Sequence, residues 1–126
     1  MQILTFHDAY NITFKVLEEY YTKFVEGDLA NLLSDMSTKT FSDAESADPA
    51  AYEDWLDIAK ARVDNECIQE NQIILVAVDY IKWYMDEFGY ELENVLQFFT
   101  HDPGIMIVFQ NAIISYYEEK TRNNKV

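Results

Sequence analysis

Two histidines, His7 and His101, and one thiol, Cys67, are the side chains best suited to nucleophilic or proton-transfer chemistry in this chain. A Cys–His pair would activate a thiolate if the fold brought the two together. Asp102, next to His101, is of the type that orients an imidazole. The plainer reading makes His101 a capping residue ahead of a helix start at Asp102-Pro103, and Cys67 a small, partly buried apolar residue. Carboxylates come in pairs at Glu18-Glu19, Asp86-Glu87 and Glu118-Glu119, each beside an aromatic stripe. An acid–base pair would require two of them to converge in a cleft, one with a raised pKa. As solvated flanks of a helix they need no such role. The sequence has no zinc spacing of Cys and His, no calcium loop, no Glu-x-x-His of di-iron bundles and no glycine-rich phosphate cradle. It therefore predicts no cofactor, no metal and no catalytic residue.

Charge is the more pronounced signal. Nine Lys+Arg stand against 23 Asp+Glu, a net charge of −14 and a pI near 4.2. Direct nucleic-acid binding needs a basic face, and the nine cations are scattered; an anionic membrane surface is disfavoured for the same reason. A cationic protein is the natural partner, since an acidic field steers it in. The acids concentrate between Lys39 and Lys60, where no Lys or Arg intervenes. Asp43, Glu45, Asp48, Glu53, Asp54 and Asp57 lie there, interleaved with Tyr52 and Trp55. Aromatics among acids suit an interface with an Arg- and Lys-rich surface. Part of the cluster has a structural task, because Asp48, Glu53 and Asp54 favour the positive end of a helix, and the alternative to an interface role for Tyr52 and Trp55 is a place in the core. A second group, Asp86, Glu87, Glu91 and Glu93, surrounds Gly89.

These residues need a scaffold, and the periodicity predicts an all-α one: a single domain, residues 1–126, of five or six helices with a longer loop near 37–48. Nine Tyr, eight Phe and two Trp supply a core, and three Gly with two Pro leave little turn chemistry for a β fold. The first helix spans about 5–25, with Phe6, Tyr10, Phe14, Leu17, Tyr21 and Phe24 on one face. Thr5 and Asp8 form a variant capping box, Gly27 ends the element, and Asp28 caps a second helix over 29–36. Asp48-Pro49 starts a third helix to Val63, with Tyr52, Trp55, Leu56, Ala59 and Val63 inward. A fourth spans 71–88 and stops at Gly89; a short one spans 91–99; the last runs from Asp102-Pro103 to about 121. The β-branched runs 73–78 and 105–109 also suit buried strands, but each continues a helical pattern. The start of the chain lacks a signal-peptide pattern and no run approaches a membrane span, which predicts a cytoplasmic protein.

Three segments resemble a known family: Phe14-Lys15-Val16-Leu17-Glu18-Glu19-Tyr20-Tyr21, the run from Asp28 to Met36, and Ala47-Asp48-Pro49-Ala50-Ala51-Tyr52-Glu53-Asp54-Trp55-Leu56. Together they look like the small acidic immunity proteins of bacterial contact-dependent growth inhibition systems. The resemblance covers roughly residues 6–60; Val25-Glu26-Gly27 replaces the Gly-Ser-rich turn of that pattern, and residues 66–126 match none of it. It implies tight binding, in the producing cell's cytoplasm, to the basic C-terminal toxin domain of a secreted effector, often a nuclease. Two other functions stay open: an acidic nucleic-acid mimic or adaptor, and a di-carboxylate enzyme. A homodimer through exposed aromatics of the last helix, such as Tyr117, also stays open.

Overall fold

The computed structural model describes residues 3–25, 27–37, 49–63 and 67–123. Six helices dominate, as the periodicity predicts: α1 (Phe6–Lys23), α2 (Gly27–Met36), α3 (Pro49–Arg62), α4 (Ile73–Phe88), α5 (Glu93–His101) and α6 (Ile105–Asn123). Both β-branched runs are helical. Two three-residue strands, β1 (Ile3–Thr5) and β2 (Cys67–Gln69), pair antiparallel with Leu4 opposite Ile68. These strands are an addition to the expected scheme. Their alternation is only three residues long, with Leu4 and Ile68 buried between exposed neighbours, and their partners lie far apart in sequence. No helix among the described residues is long and apolar enough to cross a membrane.

α1 is the central element, packed against α2, α3, α4, α6 and both strands. That explains a departure from the expected stripe. A helix contacted from several sides buries a wide arc rather than a narrow line. Ala9, Ile12, Thr13, Val16 and Tyr20 join Phe6, Tyr10 and Leu17 inside, whereas Phe14 and Tyr21 are only half-buried. Phe24, just past the helix end, is 57% exposed. Likewise α4 buries Ile73, Val76, Ala77, Val78, Tyr80, Ile81 and Tyr84, but Phe88 at its end turns outward.

Capping chemistry sets the helix limits. The Thr5 side chain accepts the Asp8 amide at 2.9 Å, the first half of a capping box. The Asp8 carboxylate does not complete the box. It receives the Tyr116 hydroxyl at 2.7 Å, the Tyr117 hydroxyl at 3.1 Å and Lys120 Nζ at 3.1 Å, and so ties α1 to α6. Gly89 ends α4 with φ 66°, a left-handed conformation that side chains resist, and its amide donates to the Met85 carbonyl. Gly27 instead opens α2, with Asp28 in the first turn. Pro49 is the first residue of α3, as predicted; the Asp48 cap and the 38–48 loop lie outside the described residues. α5 begins two residues later than predicted and extends to His101, which closes it instead of preceding the next helix.

Candidate partner-binding surface

The core beneath α3 determines what that helix can offer a partner. Trp55 is fully buried, and its Nε1 donates to the Phe6 carbonyl at 2.9 Å. Tyr10 and Tyr80 meet it edge-on at 5.8 and 5.3 Å between ring centroids. Tyr80 in turn donates its hydroxyl to the Ala51 carbonyl at 2.8 Å, and burial pushes its pKa well above the usual phenol range. This corrects one expectation: Trp55 is a core anchor between α1, α3 and α4, closed to any docking partner. Tyr52 is half-buried, edge-on to Tyr10 and His7. Glu53 and Asp57, four residues apart on α3, are exposed, with Asp54 half-exposed between them. Asp43, Glu45 and Asp48 lie outside the described residues. What remains of the first cluster is an acidic ridge without its large aromatic.

The second group gains the aromatic that the first one loses. Around the Gly89 turn, Asp86, Glu87, Glu91 and Glu93 are all exposed, and Phe88 stands among them at 57% exposure. Phe88 rests on Trp83, Tyr84 and Tyr90, with ring centroids 5.5, 5.2 and 5.8 Å away. Two bonds to α2 fix the turn. The Glu91 amide donates to Asp28 Oδ2 at 2.6 Å, and the Tyr90 hydroxyl donates to Asp35 Oδ2 at 3.1 Å. The tyrosine ladder Tyr80–Tyr84–Tyr90 links this turn to the core behind α3.

The ion pairs lie elsewhere. Lys15 pairs with Glu119, Arg62 with Asp79 and Lys120 with Asp8. Glu53, Asp57, Asp86, Glu87 and Glu93 pair with no described cation. A ridge and a turn rich in exposed carboxylates, one with an exposed phenylalanine, can attract cations and stack a guanidinium on a ring.

The candidates for chemistry are dispersed. Cys67 is exposed on β2, opposite Thr5, rather than partly buried. No hydrogen bond joins it to either histidine among the described residues. His7 lies against Tyr52 and Asn11, and His101 Nδ1 is 2.8 Å from the Thr100 hydroxyl. An open groove of about 710 Å³ borders His101 and Asp102, and Tyr20, Phe24, Val25, Phe98, Asn94 and Gln97 also line it. Asp102 Oδ1 is occupied by the Gly104 amide at 2.7 Å, so it shapes the entry to α6. No three His, Cys, Asp or Glu side chains among the described residues gather as a metal site. Glu118 and Glu119 lie on the exposed side of α6, with Glu119 paired to Lys15.

No family model, no curated protein and no solved structure matches the chain. The sequence signal that would have found Phe88 is available in hindsight: an aromatic directly before a helix-ending Gly sits where the helix leaves the core.

Proposed function

We propose that this chain is an immunity protein that binds and neutralises a cognate basic toxin domain of the nuclease kind, in the cytoplasm of the cell that makes it. It acts by binding and not by catalysis. One observation carries the reading: the exposed carboxylates Glu53 and Asp57 on α3, and Asp86, Glu87 and Glu93 around the Gly89 turn, form no ion pair with a described cation, in a chain of net charge −14. Such charges repel one another in the free protein and are relieved when a cationic surface docks. The resemblance of residues 6–60 to growth-inhibition immunity proteins supplies the class of partner.

In this mechanism, long-range attraction brings the toxin in, and contacts at Phe88 and half-exposed Tyr52 slow its departure. The test is co-expression with the basic domain encoded beside this gene. The two should co-purify and growth should be restored. A toxic domain that remains toxic and elutes alone would end the proposal. Charge reversal then apportions the surface. Glu53→Lys with Asp57→Lys, and separately Asp86→Lys with Glu87→Lys, should each slow association by about tenfold or more at low salt. A nucleic-acid mimic would behave differently, binding several unrelated basic proteins and losing them all together as salt rises.

A further inference from the structure

The outward face of α6 has the opposite character to the acidic surfaces. Residues 103–117 form a run of fifteen without a single charge, in a chain that is 25% charged. Ile107 and Ile114, two turns apart, are 61% and 57% exposed, and Gln110 and Asn111 are exposed between them. Beside Ile114 is a shallow hollow of about 340 Å³ lined by Ile113, Ile114, Tyr117, Glu118 and Thr121. Between Pro103 and Tyr117 a cationic toxin surface has no charge to meet; the first carboxylate is Glu118, at the far end of the hollow.

We infer that this face is a homodimer interface, in which α6 pairs antiparallel with α6 of a second copy about a two-fold axis. The occupant follows from the self-complementary order of the residues. In a two-fold antiparallel pairing centred between Gln110 and Asn111, residue i faces residue 221−i of the other copy. Ile107 then faces Ile114, seating in the hollow beside it, twice per dimer. Gln110 faces Asn111, and side-chain amides carry both donor and acceptor, so the polar centre satisfies itself. At each end the same register brings Glu118 and Glu119 near Asp102 of the partner helix start, a like-charge contact that salt screens. The uncharged run also lets two bodies of charge −14 approach. The inference does not depend on the toxin reading, since its evidence and its test involve this chain alone.

Two nineteen-residue helices, each about 28 Å long, offer a contact on the small side of the roughly 1,600 Å² standard interface, so the dimer is sought over a wide concentration range. The test is sedimentation equilibrium of the full chain from about 1 to about 500 μM, at low and high salt. The expected result is a monomer–dimer equilibrium that tightens as salt rises, because screening relieves like-charge repulsion; a toxin complex would weaken. Ile114→Glu should give a monomer with an unchanged circular dichroism spectrum. In a Cys67→Ser background, Asn111→Cys should oxidise to a covalent dimer while Glu53→Cys does not. A monomer at every concentration, or a dimer that survives Ile114→Glu, would overturn the inference.

Discussion

Asp8 carries a carboxylate into the seam between α1 and α6, and its balance of costs can be followed atom by atom. Burial by itself pushes its pKa up, but hydrogen bonds from Tyr116, Lys120, Thr5 and Tyr117 outweigh that and hold it below the usual carboxylate range. A depressed carboxylate contributes stability that is present above its unfolded pKa and is lost as pH falls through the folded value. Stability should therefore decline below about pH 4, and Asp8→Asn should flatten that decline while costing about 1–3 kcal/mol at neutral pH, read by urea denaturation at several pH values. Tyr116 mirrors it. Burial and the bond to Asp8 raise its phenol, so its contribution stands below pH 10 and is lost in stronger alkali. Thr13 is the counter-example: fully buried, with a hydroxyl that has no partner among the described residues. Thr13→Val keeps the shape and removes an unsatisfied group, so it should raise stability by about 1 kcal/mol. A loss of stability in the same denaturation assay would mean the hydroxyl is satisfied.

Among the elements, the helices were legible because each carries several turns of 3.6-residue periodicity and a local stop or start at Thr5, Pro49 or Gly89. Gly89 is the most exposed of these to test. A Cβ there would meet nothing within 4 Å, so only the φ of +66° opposes a side chain. Gly89→Ala should cost about 1 kcal/mol in chemical denaturation and leave the helix content unchanged. What the sequence did not reveal was which arc of α1 faces inward, because that depends on how many neighbours surround it. The same limit applies to Trp55: its neighbours Glu53, Asp54 and Asp57 advertise a surface, yet its indole finds the Phe6 carbonyl forty-nine residues away. Phe88 shows the converse, four residues after buried Tyr84 yet outside the core because α4 ends there. Strand β2 has no sequence signature, because three residues of alternation mean nothing until Leu4 lies opposite Ile68.

At the level of the whole molecule, stability and recognition respond to salt with opposite signs. The free chain crowds 23 acids against nine cations, so added sodium chloride should raise its urea midpoint without changing the slope. A falling midpoint would mean that ion pairs such as Arg62–Asp79 outweigh the repulsion. Capture of a basic partner should meanwhile slow as salt rises. The Asp8 tether has one more implication, which concerns manufacture. The hydroxyl it receives belongs to a residue 108 positions later. At cellular rates of about 5–20 residues per second, a ribosome delivers Tyr116 roughly 5–20 s after Asp8. Throughout that interval the first helix emerges with its carboxylate unmet and its flank uncovered. The first helix is thus completed by the sixth, and a chain interrupted before Tyr116 would carry an unfinished α1 however much of the intervening sequence had been translated.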